Sequence, residues 1–303
     1  MLTRYVQRHL TWVDLISPTP GEVRSLMDEF GIDPSFANEL LTSSYKPKVE
    51  RRGELIYVIL HFPLLRGMGK VPEEEIDFLI GKNFLITARY AQSDPLHSFA
   101  KAFEVNQVLG HNAAATHGGH LFAAMARNLY RALGDECDVL ERHLGDIEEH
   151  IFNSDERSMV FRLSQTGRII HDFRQRLLPH KEMLLSLEPQ AIRMFGPEFG
   201  YYIRTIEGDY ERVRTILGNL REALIELRET NNSLLSTKQN ETIKTFTVIA
   251  FFFLPLSFVA SLFAMDTRFT PIVGSPGDFW IILGLMALLA AIFFVYFKRK
   301  GWL

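Results

Sequence analysis

The sequence predicts an α+β membrane protein. An N-terminal α/β cytoplasmic domain comes first, followed by a long, coiled-coil-like stalk helix that continues into the first of two C-terminal transmembrane helices. Three observations predict this. Thr245–Met265 and Phe279–Phe297 run for 21 and 19 residues without a charge, close to the roughly 20 apolar residues that cross a bilayer core. From Glu198 to Leu254 there is no proline, and an apolar seam repeats at intervals of three and four, the signature of a heptad helix. Residues 1–105 instead carry short runs rich in Ile, Val, Phe, Tyr and Thr, bounded by turn residues, which read as strands.

Composition narrows the function. The chain has 303 residues, 47% of them hydrophobic and 23% charged, with a net charge of −3. That length exceeds one average domain, and two apolar runs are too few for a many-span transporter fold. A balance of 33 basic to 36 acidic residues argues against a nucleic-acid partner. The single Cys137 excludes an internal disulfide framework and a CxxC zinc site. MLTRYVQRHLTWVDL lacks the apolar stretch of a signal peptide. With no GxGxxG, P-loop or nucleophile elbow, neither enzymatic activity nor an organic cofactor is expected.

In the N-terminal domain, LTWVDLIS, LIYVILHFPLL and EEIDFLIGKNFLITARY read as strands. Pro18-Thr19-Pro20 before GEVRSLMDEFG opens a short helix that closes at Gly31. Gly81-Lys82-Asn83 predicts a hairpin turn that sets Ile76–Ile80 antiparallel to Phe84–Thr87. His111, His117 and His120 in HNAAATHGGH are candidate metal ligands, but their spacing matches no zinc pattern. Exposed or helix-start histidines are the preferred reading.

Three helices follow. Gly119 to Phe152 carries Leu129, Leu133, Leu140, Leu144, Ile147 and Ile151 on one side. Its acids, from Asp135 to Glu149, form a solvated face. Leu163, Thr166, Ile170, Phe173, Leu177, His180, Leu184 and Leu187 make a second seam, which Pro179 should kink or interrupt. The stalk seam is Ile203, Ile206, Tyr210, Val213, Leu217, Leu220, Leu224, Leu227, Asn231 and Leu234. A helix from Glu198 to Met265 would measure about 100 Å. Either it is a passive spacer or it couples cytoplasm to membrane mechanically.

Arg228, Lys238 and Lys244 precede the first apolar run, and Lys298, Arg299 and Lys300 follow the second. The loop between has one cation, Arg268. This asymmetry predicts that both ends lie in the cytoplasm. Within the first run, Asn240, Ile243, Thr247, Ala250, Leu254, Ser257, Ser261 and Ala264 form a mostly small or polar stripe. Phe246, Phe251, Phe252, Phe253, Phe258 and Phe263 fall off it and are expected to face lipid. Such a stripe serves close helix packing, or it lines a pore built from several subunits. Two spans cannot enclose a pore, so the second reading requires an oligomer. The second run, FWIILGLMALLAAIFFVYF, reads as a lipid-facing outer helix. The expected boundaries are 1–117 for the α/β domain, 118–196 for the helical region and 197–265 for the stalk and first span. The outer loop is 266–278, the second span 279–297 and the basic tail 298–303.

The chain resembles the CorA family of divalent-cation channels and transporters. The resemblance runs from about Leu10 to Leu303 through TWVDLISPTPGEVRSLMDEFGI, KPKVE and FLIGKNFLITARY, then NETIKTFTVIAFFFLPLSFVASLF and VYFKRKGWL. It implies a homopentamer in the inner (cell) membrane, a pore lined by the first span, and a cytoplasmic funnel that senses divalent ions. The family's Gly-Met-Asn signature falls on Ala264-Met265-Asp266, so Asp266 takes the place of the ion-holding Asn ring. The inner-mouth Asn falls on Asn240 and the mid-span proline on Pro255. The implied partners are further copies of the chain, the lipid bilayer and the transported cation, which is Mg2+ or a transition metal such as Zn2+, Co2+ or Ni2+. Beside a divalent-cation channel stand two other readings. One is a proton-coupled, zinc-type metal transporter. The other is a non-conducting membrane scaffold on the same fold.

Overall fold

The computed structural model describes residues 1–7, 9–44, 46–63, 73–90, 94–108, 116–153, 155–265 and 277–302. The chain opens with a hairpin of β1 (Leu2–Gln7) and β2 (Leu10–Ile16), then α1 (Pro20–Phe30) and the short α2 (Pro34–Glu39). Four strands follow: β3 (Lys48–Arg52), β4 (Leu55–Pro63), β5 (Glu73–Ile80) and β6 (Phe84–Arg89). The rest is helical, with α3 (Asp94–Val108), α4 (Gly118–Phe152), α5 (Glu156–Leu177), α6 (His180–Phe195), α7 (Phe199–Phe263) and α8 (Asp278–Arg299). Two compact units result, Met1–Arg228 and Glu229–Leu303.

The strands form one sheet in the order β1-β2-β6-β5-β4-β3. The β2–β6 pair is parallel and the other pairs are antiparallel. The predicted hairpin is present, with Ile80 opposite Leu85 and Phe78 opposite Thr87. Alternation along β2 and β5 gives each strand two buried faces. Val13, Leu15, Tyr57, Ile59, Leu79, Ile86 and Ala88 pack under Val23 and Leu26 of α1 and Phe36 of α2. On the other face, Trp12 meets Phe99 and Phe103 of α3, and Phe78 meets Phe122 of α4 edge to face.

Helix α1 begins and ends where its sequence requires. Thr19 and Glu22 exchange hydrogen bonds in a capping box, Pro20 takes the first turn, and Gly31 closes the helix at φ 64°. Pro179 separates α5 from α6, as the missing amide and the ring clash dictate. Strands β1 and β3 and helices α2 and α3 were not read from the sequence. LTRYVQ and KVERR are edge strands whose polar residues hide the apolar alternation.

The seams on α4, α5–α6 and α7 are all buried as far as Leu227, with exposures of 8% or less. The α7 seam is covered within its own chain. Tyr210 meets Tyr130 of α4 and His180 of α6, while Arg228 donates to the Leu163 carbonyl of α5. Asp209 pairs with Arg127 of α4 at 2.8 Å, so its charge is spent on anchoring the stalk. The acids Asp135, Asp138, Glu141, Asp146, Glu148 and Glu149 of α4 are exposed, as a solvated face should be.

Candidate functional site

The membrane-length apolar segments are the last part of α7 and the whole of α8. Helix α7 runs on through Pro255. A proline has no amide to give, so the carbonyl of Phe251 loses its usual helical partner there. The two helices meet through one row of α7. Val248 is 6% exposed, and Lys244, Phe252, Pro255, Leu256, Val259 and Phe263 are half-shielded. On α8 the focus is Phe297, which is 4% exposed, with Phe251 and Phe252 about 6 Å away, centroid to centroid. Trp302 stacks on the same ring, and Lys244 donates to the Gly301 carbonyl at 2.9 Å.

The polar stripe lies elsewhere. Asn240, Ile243, Ala250, Leu254, Ser257, Ser261 and Ala264 are all exposed, and Thr247 is half-shielded. At about 100° per residue, the stripe falls on the side of α7 turned away from α8. Small and hydroxylated residues thus occupy the face that α8 leaves uncovered. The Thr247 hydroxyl donates to the Ile243 carbonyl at 2.8 Å, which satisfies its proton and leaves its oxygen lone pairs outward. Ala264 still donates to Ala260 in helical fashion, and Met265 is exposed. Asp266 and Arg268 lie outside the described residues.

One expectation needs correcting. The six phenylalanines do not share a single environment. Phe246, Phe251, Phe253 and Phe258 are more than half exposed, whereas Phe252 and Phe263 lie on the shielded row and Phe252 packs toward Phe297. The sequence held the signal, since positions 244, 248, 252, 255, 259 and 263 keep helical spacing. Both rows are rich in apolar residues, however, so hydropathy alone does not separate a lipid contact from a helix contact.

The described part of the histidine-rich segment is built from ring stacking. His111 lies outside the described residues. His117 caps the start of α4, and its ring stacks on His120 at 3.8 Å and on Phe195 at 4.4 Å. Parallel stacking turns ring faces, not nitrogens, toward each other. The Thr116 amide donates to His120 Nδ1 at 3.3 Å. Burial, with the His120 charge adding, pushes the His117 pKa down to about 4, so it is neutral at physiological pH. Among the described residues no three His, Cys, Asp or Glu side chains gather as a metal site.

The sequence profile described as CorA-like Mg2+ transporter protein matches residues 7–299. The chain belongs to that family. Among curated relatives, the cobalt/magnesium transport protein CorA of Thermotoga maritima is 24% identical over 299 residues, covering 97% of this chain and 83% of the relative. The complete CorA structure from Methanocaldococcus jannaschii superposes with a TM-score of 0.86 at 19% identity, over 99% of this chain and 93% of the other. The full-length CmaX structure gives 0.74 at 19% identity, over 98% and 90%. The fold of this member is therefore the full CorA fold, with α7 and α8 supplying both candidate spans.

Proposed function

We propose that the chain is a subunit of a homopentameric channel that passes divalent cations through a pore lined by α7. The observation that carries this reading is the polar stripe from Asn240 to Ser261 on the face of α7 away from α8. Among the described residues α8 leaves that face uncovered, and copies of α7 around an axis would cover it. Hydroxyl and carbonyl oxygens suit a hydrated hard cation, which sheds its water reluctantly. The family membership and the relatives' names favour Mg2+ or Co2+, and Zn2+ or Ni2+ belong in the same test. A divalent charge moving through about 100 mV releases roughly 4.6 kcal/mol, enough to drive uptake without a second energy source. The basic flanks of both spans support an inner-membrane protein with both termini in the cytoplasm.

The replacement of Gly-Met-Asn by Ala264-Met265-Asp266 favours a second reading, a scaffold that no longer conducts. Reconstitution into liposomes separates the two. The purified protein should have a mass five times that of the 34.8 kDa chain and should take up Mg2+, Co2+, Ni2+ or Zn2+ under an inside-negative potential. A stable monomer or dimer sinks the pore. A pentamer that passes none of these ions establishes the scaffold.

Cysteine labelling tests the phase of the helix. In liposomes, cysteines at Ser257 and Ser261 are expected to react with a water-soluble thiol reagent at least tenfold faster than one at Phe258, because thiolate forms in water and not in lipid. A cysteine at Phe252, on the row facing α8, should be as slow as the one at Phe258. Equal rates at all four positions would show that the stripe is not wet.

A further inference from the structure

Asp77 stands in the middle of β5 and is fully buried. The Tyr57 hydroxyl donates to its Oδ2 at 2.6 Å. The Tyr90 hydroxyl is 3.4 Å from the same oxygen, and 3.3 and 3.4 Å from the carbonyls of Leu40 and Glu39 at the end of α2. One hydroxyl proton therefore faces three acceptors. Two residues along β5, Glu75 accepts the Ser44 amide on both oxygens, at 2.7 and 2.8 Å. His61, opposite Glu75 in the sheet register, has Nε2 2.7 Å from the Ser44 carbonyl and 3.4 Å from Glu75. The 39–44 segment is thus fastened to the sheet by Tyr90, Glu75 and His61.

The titratable groups around Asp77 come from every neighbouring element. They are Tyr57 of β4, Glu75 on its own strand with His61 of β4 across from it, Tyr90 after β6, and Glu39 of α2, which Lys48 of β3 neutralises at 2.7 Å. Asp14 and Arg89 pair on the opposite face of the sheet, because Arg89 lies across from Ile76 and Asp14 across from Thr87. Burial above all, with the Glu75 charge adding, holds the Asp77 carboxyl well above the usual carboxylate range, although the Tyr57 hydrogen bond opposes this.

We propose that Asp77 is a proton-operated latch on the α2–β3 connection. As a neutral acid it leaves the Tyr90 hydroxyl to hold the terminal carbonyls of α2. As a carboxylate it draws that hydroxyl to itself and loosens the 39–44 segment, which then keeps only its Glu75 and His61 fastenings. An ionised acceptor forms a hydrogen bond about twice as strong as a neutral carbonyl does, which decides the competition. The folded chain keeps a proton that the unfolded chain gives up above the ordinary aspartate range. Stability therefore falls as pH rises through that range toward the raised folded value, and levels off above it. One such group changes the unfolding constant about tenfold per pH unit.

The test uses the full-length protein in detergent from about pH 4 to pH 9, a window that opens at the ordinary aspartate range, with melting temperature and hydrogen exchange of the 41–44 amides as readouts. In the wild type, melting temperature should fall with pH. Exchange of the segment, corrected for its intrinsic pH dependence, should rise by up to about tenfold per pH unit. Asp77→Asn should abolish both trends. Tyr90→Phe should keep the slope in melting temperature while the 41–44 amides exchange fast at every pH. A wild-type slope in Asp77→Asn, or pH-dependent exchange surviving in Tyr90→Phe, overturns the latch. If Asp77→Asn does not fold, the Tyr90→Phe exchange decides alone.

Discussion

Asp266→Ala is expected to reduce divalent-cation uptake at least tenfold in reconstituted liposomes. The residue follows the first span directly and stands where the CorA resemblance puts an ion-holding asparagine ring. Rings of Asp or Glu select cations at pore mouths. For a hydrated divalent ion about 6 Å away in bulk-water dielectric, each carboxylate contributes roughly 1.4 kcal/mol of attraction. In a pentamer a single substitution removes five such charges. Asp266→Asn should retain part of the flux, because the amide restores the family's own ring chemistry without the charge. It should also bind cations more weakly than the wild type and release them faster. Flux against external cation concentration reads both effects. An unchanged uptake curve in Asp266→Ala would remove Asp266 from the conduction pathway.

Gly118→Ala is expected to lower the melting temperature by about 10 °C. A Cβ at this position would sit 2.2 Å from the Phe84 carbonyl oxygen and 2.3 Å from that of Gly81. Both are backbone atoms of the β5–β6 turn, so neither moves as a flexible side chain would. The Gly118 amide also donates to the Lys82 carbonyl at 2.8 Å, which fixes the start of α4 on that turn. Overpacking of this kind costs about 3 kcal/mol, and each kcal/mol lowers the melting temperature of a unit this size by roughly 2–4 °C. Gly145→Ala serves as the control. Its added Cβ meets nothing within 4 Å inside α4, and alanine's better helix propensity should stabilise it by up to about 1 kcal/mol. Equal melting temperatures for the two variants would refute the contact.

Elements whose patterning is local and strong were legible from residue order alone. The charge-free runs became the membrane-length parts of α7 and α8, because a span is specified by length and polarity alone. The capping box at Thr19 and Glu22, the break at Pro179 and the turn at Gly81–Asn83 were legible because each rests on neighbouring residues. The heptad seam of the stalk was legible too, since its spacing marks one buried face. On the candidate site, the stripe from Asn240 to Ala264 was readable as a row but not as a surface.

What each face touches came from the three-dimensional packing. It assigned the stalk seam as far as Leu227 to α4, α5 and α6 of the same chain, a choice that depends on contacts far apart in sequence. It separated Phe252 from Phe258, two identical residues, by putting one on the row that meets Phe297 and the other in the open. It paired Asp209 with Arg127, 82 positions away, and so withdrew that acid from the pool of free charges. It also brought β1 and β3 to the edges of the sheet, where pairing overrides weak intrinsic preference. Periodicity says which residues of a helix or strand share a side. The partner of that side is set by packing between distant segments, and a one-dimensional pattern does not encode it.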